Sequence, residues 1–300
     1  MRNAFSDALS AAAVADPKVL LLTGDHGYSL FDDFRRQRPE QFINCGIAEQ
    51  NMVGVAAGLA KAGFKPVVYG LSAFVPVRVL EQIKLDVCYE NLGVVLIGDG
   101  AGIVYSALGS SHQSTEDIAA LRALPNLAIL SPCDRAEMTY AMAQALRFDG
   151  PTYLRMGKSD IGEVHAGALA APIGDLLPVA DGGGSAAFLA TGAMVKTALE
   201  LADGRAVWSV PSIKPINRVQ VAELARRHAR LIVLEEHSRI GGLGGAIAEI
   251  VGDMDGARAR VVRLGIDDRF SERCGSYAYL RREHGIDAAS LRAQLAELGD

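Results

Sequence analysis

Cysteine is scarce and dispersed in this 300-residue sequence. Cys45, Cys88, Cys133 and Cys274 show no CxxC spacing, which argues against a disulfide framework or a structural zinc site. Clusters of basic residues are missing too. Lys and Arg are scattered and the net charge is −5, so nucleic acid is not an expected partner. Long apolar runs are also absent. Stretches such as "AAFLATGAMV" fall well short of the roughly 20 residues that cross a bilayer, and "MRNAFSDALS" has no signal-peptide apolar core. No membrane partner is expected, and a cytoplasmic location is.

What is present is apolar residue in quantity: half the chain, against 22% charged, enough for two domains with their own cores. Short β-rich runs, "KVLLLTGD", "FKPVVYGL", "LGVVLIGD" and "LAILSP", each end in Gly, Ser or Asp and lead into a longer amphipathic stretch. Strand followed by helix, repeated, predicts an α/β fold with a parallel sheet. After "PTYLRMGK" the pattern loosens into Gly-, Ala- and Pro-rich text. A second series then runs through "SAAFLATG", "GRAVWSV", "ARLIVLEE" and "ARVVRLGI". We read two parallel-sheet domains, residues 1–165 and 185–300, joined by a linker at 166–184. Ligands of open parallel sheets sit beyond the carboxyl ends of the strands. Those ends carry Asp25, His26, Ser72, Phe74, Asp99 and Lys158.

The stretch "NCGIAEQNMVGVAAGLAKAG" places one carboxylate, Glu49, at the head of a helical run of small and apolar residues. One reading is a helix cap, since an acid in the first turn suits the macrodipole and Asn44 or Gly46 can begin the helix. The other is chemical. Val53, Val55, Ala56, Ala57, Leu59 and Ala60 leave little solvent, Gly54 and Gly58 let a second backbone approach, and a desolvated carboxyl can hand a proton to a bound nitrogen.

From Gly46 onward, "GIAEQNMVGVAAGLAKAGFKPVVYGLSAF" resembles the pyrimidine-binding domain of the transketolase family of thiamine diphosphate enzymes. "HQSTEDIAALRALPNLAILSPCD", "DGPTYLRMGK", "PSIKPIN" and "LEEHSRIGGLGGAIAE" resemble successive blocks of the same family, most closely the C-terminal subunit of two-subunit transketolases. The resemblance implies a pyrimidine-binding domain followed by a transketolase C-terminal domain. It gives Glu49 the role of bonding N1′ of the coenzyme's aminopyrimidine, which favours the imino tautomer that activates the coenzyme as a nucleophile. Phe74 matches the aromatic that stacks on the pyrimidine, a core phenylalanine being the alternative, and Leu71 lies beside it. His112 in "ALGSSHQ" matches the histidine over the substrate. Ser29 and Lys158 match phosphate contacts, with Arg155 as a second cation and an exposed basic loop as the alternative. His26 faces the same site without an assigned role. Glu236 and His237 are assigned to structure or to the site's rim. The family's usual Asp four residues before the histidine is Leu108 here, and the loop carries an additional Tyr105, so a non-standard donor is expected.

Gly98-Asp99-Gly100 and Asn126 nearly spell the magnesium and diphosphate motif of these enzymes. Asn126, however, precedes its strand rather than ending it, so its oxygen would not converge with Asp99 within about 2.1 Å of an ion. No metal ligand is therefore assigned in this chain. Mg²⁺ and the diphosphate are expected on a partner, the N-terminal transketolase subunit, in an α2β2 heterotetramer built around the Glu49 helix. The expected reaction moves a two-carbon ketol unit from a ketose, expected to be phosphorylated, to an aldehyde. The rivals are an enzyme taking pyruvate or another 2-oxo acid, as deoxyxylulose-phosphate synthases and dehydrogenase β subunits do, and a non-catalytic assembly subunit.

Overall fold

In the computed structural model, which describes residues 1–157 and 162–298, the chain forms two sheets flanked by helices. Twelve strands make them: β1 Val19–Thr23, β2 Phe42–Asn44, β3 Lys65–Leu71, β4 Val95–Asp99, β5 Ala128–Leu130, β6 Thr152–Met156, β7 Leu177–Ala180, β8 Ala186–Ala190, β9 Ala206–Ser209, β10 Ser212–Lys214, β11 Arg230–Ser238 and β12 Arg260–Ile266. The first sheet has the order β10-β5-β6-β4-β3-β1-β2 and the second β12-β11-β8-β9-β7. β1, β4, β6 and β8 are buried at every residue, as strands covered by helices on both faces must be. The expected α/β class holds.

Both sheets depart from purely parallel at one edge. β10 runs antiparallel to β5, with Ser212 opposite Leu130, and β7 runs antiparallel to β9, with Leu177 opposite Ser209. β10 comes from the second half of the chain yet completes the first sheet, and Lys214 Nζ donates to the carbonyls of Arg122 (3.0 Å) and Leu124. The stretch expected as a linker does not hang free. Pro172 O and Ala171 O accept from Tyr140 and Gln144 of the helix Arg135–Arg147, and its Leu177–Ala180 is β7.

An ion cluster holds the beginning of this stretch. Asp134 caps the helix by accepting from Glu137 N at 2.9 Å, and its second oxygen accepts from Val164 N, His165 N and His165 Nδ1 at 2.9, 2.7 and 3.1 Å. His165 Nε2 lies 3.7 Å from Glu137 Oε1, so the imidazole is bracketed by two carboxylates. The bond to Asp134 raises the His165 pKa, against burial.

The switch point of the first sheet lies between β1 and β3, because the chain leaves β1 toward β2 and then crosses back to β3 and β4. The helix Glu49–Lys61 makes that crossover. It buries Met52, Val53, Ala56 and Ala57 against Leu20, Leu22 and Val68 of the sheet, which leaves its first residue at the carboxyl edge. Among the described residues, no helix is long and apolar enough to cross a membrane.

Candidate active site

Glu49 opens its helix after Ala48, an N-cap residue with no side-chain cap bond, and is 9% exposed. Its side chain passes beside Gly24, just after β1, where a methyl group would come 3.9 Å from Glu49 Cγ. It does not serve as a cap. Glu49 Oε1 instead accepts from Arg78 Nη1 at 3.0 Å.

Phe74 is thrown over the same edge by a tight turn after β3. Leu71 O accepts from both Phe74 N (2.8 Å) and Val75 N (2.7 Å), and Ser72 N donates to Asp99 O at 2.8 Å. Leu71 is thus placed as the hinge of the turn that presents the ring. Phe74 is half-buried, the guanidinium carbon of Arg78 lies 3.9 Å from its ring centroid, and the His112 ring meets it edge-on at 5.4 Å. Glu49, Phe74 and His112, far apart in sequence, therefore meet at one edge with Arg78 between two of them.

The loop that delivers His112 is pinned from both sides. Gly102 and Ser114 pair across its base, Ser110 Oγ donates to Ser271 O at 3.4 Å, and Gln113 Oε1 accepts from Ser271 Oγ at 2.8 Å. His112 Nδ1 is 3.0 Å from Ser111 Oγ. Leu108, at the crest of this loop, is 54% exposed. Tyr105 turns inward, and its hydroxyl donates to Asp99 Oδ2 at 3.0 Å, alongside Tyr69 at 2.8 Å.

Asp25 and Ser29, after β1, both hold the left-handed backbone conformation, with φ of 59° and 62°. Asp25 Oδ1 accepts from Tyr28 and Asn44, which lowers its pKa. Ser29 is exposed. His26 stacks obliquely on Tyr69 at 5.0 Å, and burial lowers its pKa despite the nearby Asp99 and Glu49 carboxylates. A neutral imidazole at this edge can donate or accept.

Arg155 is a correction. It was expected beside Lys158 as a cation for a substrate anion, but it is 5% exposed and bonded to protein through Nε and Nη2. Its Nε bonds both oxygens of Asp117, at 3.1 and 2.8 Å, and Nη2 donates to Ser114 O and Glu236 O. Arg155 ties the loop and the second sheet together, with its guanidinium paired to Asp117 inside the protein. Lys158 lies outside the described residues. Glu236 accepts from Ile103 N at 2.9 Å and from the Tyr277 hydroxyl. His237, fully buried with its pKa lowered to about 4 by desolvation, bonds Ser238 O at 2.7 Å and accepts from Ala119 N at 3.3 Å. Asp99 ends β4, whereas Asn126 precedes β5 and donates to Cys88 O, so the two stand at opposite edges of parallel strands.

Arg78 escaped the sequence reading. It is the sole charged residue between Lys65 and Glu81, and that isolation within an apolar run was the available signal.

Residues 1–163 match the transketolase pyrimidine binding domain family, and residues 177–291 match the transketolase C-terminal domain family. The chain belongs to the transketolase family. Curated relatives of this transketolase-family chain include an apulose-4-phosphate transketolase subunit of Phocaeicola vulgatus, 34% identical over 84% of this chain and 83% of that protein. Another is the 6-deoxy-6-sulfo-D-fructose transketolase subunit SqwH of a Clostridium species, 33% identical over 97% and 92%. The 1-deoxy-D-xylulose-5-phosphate synthase of Thermus thermophilus is 36% identical over 99% of this chain, but only 48% of that enzyme is covered. Among solved structures, a split-gene transketolase described as an inactive β4 tetramer superposes with a TM-score of 0.88 at 33% identity, covering 99% of this chain and 96% of that one.

Proposed function

We propose that this chain is the C-terminal subunit of a two-subunit, thiamine-diphosphate-dependent transketolase, moving a two-carbon ketol unit from an anionic ketose to an aldehyde. The observation that carries the reading is the meeting of a nearly buried carboxylate, Glu49, with an aromatic plate, Phe74, at the carboxyl edge of the switch point. The residues present suit an aminopyrimidine. A planar cation, the Arg78 guanidinium, already bonds the acid and lies over the ring, so the seat has the shape and polarity for a flat nitrogen base. When bound, thiamine diphosphate supplies the carbanion chemistry that breaks and makes carbon–carbon bonds. Glu49 holds a proton against the pyrimidine nitrogen, Phe74 fixes the ring plane, and His112 contacts the substrate from the opposite loop. His26 adds a second imidazole beneath the substrate, and Ser29 with Lys158 receives its anionic end.

Magnesium and the diphosphate belong, in this reading, to an N-terminal subunit, since Asp99 and Asn126 do not converge. The face offered to that subunit starts at the seat. Gly54 and Gly58 of the Glu49 helix look into open space, and Ile47, Val55, Val77, Leu85 and Tyr89 expose apolar side chains around them. Docking there closes the seat and gives an α2β2 assembly.

Glu49→Gln tests the reading. In the reconstituted pair we expect kcat to fall by about two to three orders of magnitude with assembly intact. Near-normal turnover would reduce Glu49 to a structural acid. A second reading, with pyruvate or another 2-oxo acid as donor, draws support from Leu108, whose apolar side chain stands where a hydroxyl-binding carboxylate is usual. A donor screen of ketose phosphates against pyruvate separates the two.

A further inference from the structure

In the chain by itself, one side chain makes both contacts assigned above to the coenzyme's aminopyrimidine. Arg78 Nη1 sits 3.0 Å from Glu49 Oε1, and the guanidinium carbon lies 3.9 Å from the centroid of the Phe74 ring. A guanidinium is flat, presents N–H donors at its edge and is cationic, and so matches a protonated aminopyrimidine in stacking face, hydrogen-bonding edge and charge. We propose that Arg78 is a stand-in that occupies the pyrimidine seat in the unassembled subunit and swings out when the coenzyme enters. This rests on the reading of Glu49 and Phe74 as that seat.

The crowding around Phe74 requires the departure. The His112 ring already meets Phe74 edge-on, and Arg78 covers a face of it, so a pyrimidine stacked on that face needs the guanidinium gone. Displacement is feasible. The Arg78 side chain is 45% exposed and borders a groove of about 490 Å³ lined by Gln50, Leu80, Glu81 and Leu85. Glu81, three residues on, offers the released guanidinium another carboxylate.

The experiment uses the reconstituted pair at saturating Mg²⁺, with thiamine diphosphate titrated and binding read from the quenching of intrinsic fluorescence. A competent state freed from competition binds with an apparent Kd lowered by the fraction that had been blocked, so Arg78→Met is expected to tighten Kd about tenfold. Arg78→Lys keeps the charge but loses the plate, and is expected to gain about threefold. Unchanged or weaker binding by an assembled Arg78→Met complex overturns the proposal and makes Arg78 a holder of the coenzyme or of Glu49. If that variant does not assemble, Arg78→Lys decides by the same sign. Glu49→Gln in the same preparation separates the two levels: normal turnover there sinks the seat itself, whereas an inactive Glu49→Gln beside an Arg78→Met that does not tighten sinks only the stand-in.

Discussion

Arg155 and Glu49 both place an ionisable side chain at the same end of the same sheet, and their surroundings give them opposite uses. Arg155 is closed in by Asp117 and two carbonyls, so Arg155→Leu would strand a buried carboxylate beside the Tyr153 hydroxyl. Breaking such a pair costs about 3–5 kcal/mol. Thermal denaturation of that variant should show a large drop in Tm, while an ordinary substrate anion subsite would have given a raised KM at unchanged Tm. Glu49 was legible because a lone acid at the head of an apolar helix is visible in one window of sequence. Arg155 was not, because its partner lies 38 residues upstream and the "LRMGK" spacing looks like an exposed turn. Sequence shows a charge but not its long-range counter-charge.

Among the elements, the strands with apolar runs could be read from sequence, and three short edge strands could not. β2, β7 and β10 have three or four residues each, and β7 contains Pro178. Each is an edge strand, paired on one side, so its residues need not be apolar throughout. The Gly- and Ala-rich stretch looked like a spacer for the same reason: what fixes it is not its own composition but His165 between Asp134 and Glu137. That clamp has a pH signature. The His165 pKa is raised in the fold, so its contribution is complete below the unfolded value of about 6.5 and fades as the pH climbs through the raised value. The wild-type Tm should therefore fall over that interval more steeply than that of His165→Gln, as scanning calorimetry across a pH series would show. Equal slopes would mean the imidazole does not change charge with folding.

At the scale of the whole molecule, the proposed assembly makes this chain the bearer of half of an active site. Glu49, Phe74 and His112 stand at an edge bordered by exposed Ile47, Val77 and Leu85, a surface that a solitary protein has little reason to keep. Leu85→Glu should leave the Tm of the isolated chain nearly unchanged, since Leu85 is half exposed, yet prevent co-elution with the N-terminal subunit in light scattering. Assembly at wild-type concentrations would move the interface elsewhere.

The loan of β10 to the first sheet bears on how such proteins can be recombined. Two family regions lie in tandem along the chain, and a splice in the stretch between them looks natural. Yet a hybrid joined there would border its Ala128–Leu130 edge with a foreign Ser212–Lys214 and its lysine. The recipient would then depend on the donor for a strand of its own sheet, so exchange between relatives has to conserve that three-residue seam along with the modules.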